Sequence, residues 1–120
     1  MSNDTFTAKA AADLSAVQYH LVRWSAAGFI NLSSLDTTDQ GCGVLQTVTK
    51  SGQPAAVADA GNGYVIAGAA VTANDLFTCN GSGRAVTAGS ADLIYGRALE
   101  AATADGDKIR ARYFTPRKNL

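Results

Sequence analysis

Turn-forming residues recur along this chain so regularly that no long helix can fit between them. From residue 63 to residue 114 the short apolar runs Tyr64-Val65-Ile66, Leu76-Phe77-Thr78, Ala85-Val86 and Leu93-Ile94-Tyr95 alternate with clusters of Gly, Asn, Asp and Ser. An interval of roughly ten residues with turn chemistry in every gap predicts an all-β fold, a small β-barrel or β-sandwich of short strands. Asn80-Gly81-Ser82-Gly83 supplies the positive φ angles of a tight hairpin. Ala104-Asp105-Gly106-Asp107 repeats that chemistry before the last strand. There Ile109, Ala111 and Tyr113 fall on one face and Lys108, Arg110 and Arg112 on the other, the alternation of a half-buried strand.

The first half reads the same way. Tyr19–Trp24 and Phe29–Leu32 flank the turn Ser25–Gly28, and a polar loop (Asp36–Gly41) leads to a strand over Val44–Val48. The turn Lys50–Pro54 then leads to a strand over Ala55–Ala58. Three glycines recur at similar offsets, Gly28 with Gly83, Gly43 with Gly96 and Gly52 with Gly106. They suggest two half-units that together build one barrel with pseudo-two-fold character. Residues 1–12 hold one large apolar side chain, Phe6, and read as an extended N-terminal arm. The expected division is therefore arm 1–12, β domain 13–114 and basic C-terminal tail 115–120.

A chain of 120 residues and 12.3 kDa makes one domain. It buries about 66% of its unfolded surface, enough for a core without staples. Charged residues are 17%, below the usual ~25%; Ala, Gly, Thr and Ser take their place, and such neutral surfaces suit packing against neighbours. The net charge is zero but polarised. Lys108, Arg110, Arg112, Arg117 and Lys118 are half of the ten basic residues, and no acid follows Asp107, so the first 107 residues carry −5 and the last 13 carry +5. That asymmetry suits an acidic partner or unlike ends of neighbouring subunits; the plainer reading is an edge strand kept soluble by its charges. No apolar run reaches membrane-spanning length, and the start lacks the basic and apolar regions of a signal peptide, so synthesis in a reducing cytoplasm is expected. Cys42 and Cys79, with 36 residues between them, match no metal spacing and are expected as free thiols.

Reactive chemistry finds little to stand on. His20 is the only histidine and lies in a strand, so it is expected to be structural and the usual nitrogen-ligand metal sites lack a second ligand. Gly81-Ser82-Gly83 is neither a nucleophile elbow nor, with Val86 in place of the third glycine, a dinucleotide loop. Asp105 and Asp107, like Asp36 and Asp39, lack the calcium-loop spacing and read as turn formers. Glu100, the only glutamate, has no acid–base partner. The expectation is no enzyme, no metal and no cofactor. Two binding readings remain open: a nucleic-acid groove built on Arg110, Arg112, Tyr113 and Phe114, and a carbohydrate module stacking sugars on Trp24, Tyr19 and Phe29. The second meets a simpler explanation, since those aromatics also suit the core of a hairpin.

The order AGAAVTANDLFT, GSGRAV, GRALEAATADGD and a closing strand, with Gly43-Val44-Leu45-Gln46 and Ser51-Gly52-Gln53 upstream, resembles the small capsid cement, or head decoration, proteins of tailed bacteriophages. The resemblance covers residues 13–114. It implies a structural protein on the outer surface of the virion, stabilising contacts between major capsid proteins, and a homo-oligomer, a trimer before a dimer. On that reading Phe6 and Lys9 of the arm and Arg110, Arg112, Arg117 and Lys118 near the C-terminus are the expected capsid or subunit contacts.

Overall fold

A computed structural model describes residues 4–32, 41–89 and 92–118. Asp36, Asp39 and the side chains of Cys42, Arg117 and Lys118 lie outside that description. Among the described residues there is no helix, and nine strands follow in chain order: β1 (Asp4–Ala10), β2 (Leu21–Ala26), β3 (Phe29–Leu32), β4 (Gly41–Leu45), β5 (Pro54–Ile66), β6 (Leu76–Cys79), β7 (Ala85–Thr87), β8 (Leu93–Ala98) and β9 (Lys108–Lys118). Their hydrogen-bonded order is β1-β3-β2-β4-β5-β9-β8-β6-β7, and β1 also pairs with β5. Strands β1, β3, β2, β4 and β5 thus close into a five-stranded barrel, and the other strands extend from it.

The segment expected as an arm closes this barrel. Phe6, Thr7 and Ala8 pair antiparallel with Val57, Ala56 and Ala55, while Lys9 and Ala10 pair parallel with Phe29 and Ile30. Small inward side chains suffice there: Ala8 and Ala10 are buried, and Phe6 packs against the same cluster. The segment adds a strand to its own sheet, so its extended form has a partner within the chain. The last strand likewise runs through residue 114 to Lys118, where the tail was expected to begin.

Two runs expected as separate strands, Ala55–Ala58 and Tyr64–Ile66, are one continuous strand of 13 residues. No turn intervenes, because Gly61 (φ +107) re-aims the backbone without ending it. Residues 54–60 pair with β1 and β4, whereas residues 61–66 pair with β9. From this junction the architecture starts again. The pair Thr7–Ala56 recurs as Tyr64–Arg110, Leu21–Val44 as Leu76–Arg97, and Val44–Ala58 as Arg97–Arg112. The parallel contact Ala10–Ile30 recurs as the bridge Ala67–Ala85. Backbone bonds repeat too: Gly52 N–H to Ala10 O (2.8 Å) with Gly106 N–H to Ala67 O (2.7 Å), and Leu14 N–H to Thr49 O (2.9 Å) with Val71 N–H to Ala102 O (3.0 Å). Even the two non-glycine residues with positive φ, Tyr19 (64°) and Asn74 (77°), hold matching places. The glycine offsets therefore mark a repeat, but each half builds a barrel of its own: barrel one from β1 to residue 60, barrel two from residue 61 onward.

Neighbouring residues of the shared wall point to opposite sides, as strand alternation requires. Val22, Leu45 and Val57 fill barrel one with Ile30 and Leu14. Leu21, Val44 and Ala58 face outward into the core of barrel two, among Val65, Phe77, Ile109 and Ala111. Both faces of that wall are dry, which is why its strands read as unbroken apolar runs; each fully buried Val or Leu contributes about 1.5–3 kcal/mol.

Candidate binding face

Strand β9 lies between β5 and β8, in the interior of the second sheet. Its charges are therefore not the protection of an edge; β7, last in the strand order, is the short strand that meets the end of β5 through the Ala67–Ala85 bridge. Ile109, Ala111 and Tyr113 point inward and are buried, while Lys108, Arg110 and Arg112 stand on the outer face, as the alternation predicted. The pairing sets Arg112 opposite Arg97 and Asn62, and Arg110 opposite Tyr64. Tyr64 and Leu99 are exposed at 41% and 43%. With Asn62, Gly63 and Arg110 they line a notch of about 270 Å³.

The side chains of this face are held in place. Arg110 lies 3.7 Å from Glu100 Oε2, and Glu100 Oε1 accepts the Arg110 backbone N–H (2.8 Å). Arg97 donates to the Asn74 carbonyl (2.7 Å). The Lys108 ammonium lies 5.0 Å from the Tyr64 ring centre and 5.7 Å from that of Tyr19, whose ring meets Tyr64 edge-on. Beneath, the Tyr113 hydroxyl donates to Tyr64 O (2.5 Å) and accepts from Gln46 Nε2 (3.3 Å). Burial raises the Tyr113 pKa above the ordinary tyrosine value, so the hydroxyl stays protonated and acts as a strut.

Arg97 and Arg112 face each other across two strands, and among the described residues neither forms an ion pair. Like charges directly opposite are destabilising. The repeat explains the position: the equivalent pair in barrel one is Val44 and Ala58, which barrel two covers. Among the described residues nothing covers Arg97 and Arg112, which are both exposed, so that face has become polar.

Other expected contacts lie elsewhere. Phe6 stacks on Trp24 (centroids 5.2 Å apart, planes at 25°) in barrel one, and Lys9 is exposed beside Phe29. Arg117 and Lys118 pair through their backbones with Ile94 and Leu93. The expected six residues divide between the barrels: Phe6 and Lys9 belong to barrel one, the β9 residues to barrel two. Trp24 and Phe29, read as hairpin core, are instead 38% and 37% exposed, because the hairpin tip projects beyond the barrel. Arg97, Tyr64 and Leu99 were not singled out in the sequence; aligning the halves on their glycines, which sets Arg97 against Val44, would have found the first.

His20 is buried at the junction of the barrels. Its Nδ1 bonds Gln18 O (3.2 Å), and its Nε2 accepts from Arg84 Nε (3.3 Å), whose NH1 pairs with Asp105 (2.7 Å). Burial lowers the His20 pKa, so the ring is neutral and links barrel one to barrel two. Asp107 caps its turn, accepting from Thr103 N and Oγ1 and from Ala104 N, which holds its pKa down. Among the described residues no three His, Cys, Asp or Glu gather as a metal site.

No protein-family description and no curated protein matches this sequence. Among solved structures, the chain is similar to the N base of head fiber gp8.5 in bacteriophage phi29, with a TM-score of 0.67 and 20% identity over 97% of this chain and 98% of that one. The two chains share one fold. The likeness to the head-fiber base spans both barrels rather than a single sheet.

Proposed function

We propose that the protein is a capsid cement or decoration protein of a tailed phage, binding the outer surface of the head and stabilising contacts between major capsid proteins. The observation that carries this reading is the end-to-end likeness to a phage head-fiber base. The motif order that resembles head decoration proteins points the same way. The work is adhesion rather than catalysis, without a cofactor or a membrane. Arg110 and Arg112 contact the capsid; Arg117 and Lys118 extend the same strand, and Phe6 and Lys9 serve contacts on barrel one. Several subunits, a trimer before a dimer, multiply individually weak contacts.

The test is to add purified protein to heads assembled without it and to image them by cryo-electron microscopy. Density on the outer surface at local symmetry positions is expected; protein that stays in solution beside bare heads overturns the reading. A second reading rests on Arg97, Arg110, Arg112 and Tyr64 sharing one face, as in a single-strand groove. It predicts affinity for DNA that falls steeply with salt.

A further inference from the structure

Resting on the capsid reading, we infer that the outer face of barrel two seats a short acidic segment of the partner protein. An aliphatic side chain of that segment enters the notch between Tyr64 and Leu99, and its carboxylates meet Arg97, Arg110 and Arg112. Four observations converge on this chemistry. The notch offers two exposed apolar walls, Tyr64 and Leu99, beside one guanidinium. The facing arginines Arg97 and Arg112 repel each other and, among the described residues, have no counter-ion; a carboxylate relieves that repulsion, and guanidinium forks bind carboxylates in paired hydrogen bonds. The face is pre-formed, with Arg97 tied to Asn74 O, Arg110 beside Glu100 and Tyr64 under Lys108, so little side-chain freedom is lost on binding. It is also specific to barrel two, since the notch positions Tyr64, Leu99 and Arg110 are Thr7, Gln46 and Ala56 in barrel one.

Arg110 and Arg112 lie on β9, which pairs with β5 on one side and β8 on the other, so their strand offers no free edge. Recognition is by side chains rather than by strand addition. A protein partner fits this face better than a nucleic acid. Glu100 stands within the basic group and repels a phosphate chain, whereas a segment with spaced carboxylates avoids it. Leu99 likewise suits an aliphatic side chain better than a base, which would stack on an aromatic ring.

The experiment measures binding to heads assembled without the protein and, separately, to a single-stranded oligonucleotide at low salt. It compares the wild type, the double variant Arg97→Gln with Arg112→Gln, the variant Leu99→Ser, and Lys50→Gln as an exposed control. Each variant's fold is checked by circular dichroism and thermal unfolding. Wild type and Lys50→Gln are expected to bind heads alike, while the arginine pair and Leu99→Ser each weaken binding about tenfold or more, the loss typical of a central contact. If the wild type binds heads and both site variants bind as tightly, this inference falls and the capsid reading stands. If the wild type does not bind heads, the capsid reading falls and the inference with it. If the arginine variant loses oligonucleotide binding while head binding is untouched, the face serves nucleic acid and the inference is overturned.

Discussion

Gly43 and Gly96 hold the same place in the two barrels: a side chain on Gly43 would strike the carbonyl oxygen of Ala58, and one on Gly96 the carbonyl oxygen of Arg112. In each barrel the missing side chain lets one strand approach the next. Gly43→Ala and Gly96→Ala are each expected to destabilise the protein by about 1–3 kcal/mol, the usual cost of overpacking. Gly28→Ala meets open space and carries only the left-handed backbone penalty of about 1–2 kcal/mol at φ +77. Urea unfolding of the three variants measures the order. Gly43→Ala, which adds a positive φ of +145 to its clash, should be the most harmful.

Deleting residues 2–11 should cost the protein its cooperative unfolding transition. The deletion removes β1, leaves β3 and β5 with unpaired edges and exposes the Leu14, Ile30 and Val57 cluster. Open edges of this kind associate. Size-exclusion chromatography and thermal unfolding of the truncated chain check the expectation; a monomer that melts as sharply as the full chain refutes it.

His20 predicts acid sensitivity. Its folded pKa lies below the ordinary value of 6.5, so below that pH the unfolded chain binds more protons than the folded one. Stability should therefore fall as pH drops through about 6.5, and level off once the folded ring is protonated as well. Above pH 7 both states are neutral and the dependence vanishes. Asp13 and Asp107, whose folded pKa values are lowered, lose their contribution in a separate window below about pH 4. Denaturation midpoints at pH 7.5 and 5.5 should differ for the wild type and coincide for His20→Gln.

Cys79 is buried on β6. It should resist a thiol reagent in the native protein and react once denaturant is added without reductant. A mass shift of the native protein at Cys79 would show that the strand opens.

Much of this fold was legible because turn chemistry is local. Gly28, Gly83 and Gly106 announce their turns with no knowledge of what lies across the sheet, and the inward set Ile109, Ala111 and Tyr113 follows from alternation alone. Closure was not legible. Ala8 and Ala10 look too small to fix a strand until the opposing surface of Val57 and Ile30 is in view, because a residue's worth in a barrel depends on the gap it fills. The continuous β5 was hidden for the related reason that Gly61, Asn62 and Gly63 carry turn chemistry in sequence; Gly63 is needed because a side chain there would strike the Tyr113 hydroxyl. The candidate face was half legible. The cations of β9 stood out by charge, but Arg97, Tyr64 and Leu99 join them only through strand pairing.

Strand β5 is the last stave of one barrel and the first of the other. A tug on either barrel thus reaches its twin along covalent backbone, without passing through any contact that can slip. The two barrels cannot be severed at a linker, since the seam runs through the middle of a strand. The shared strand makes the tandem pair mechanically one body.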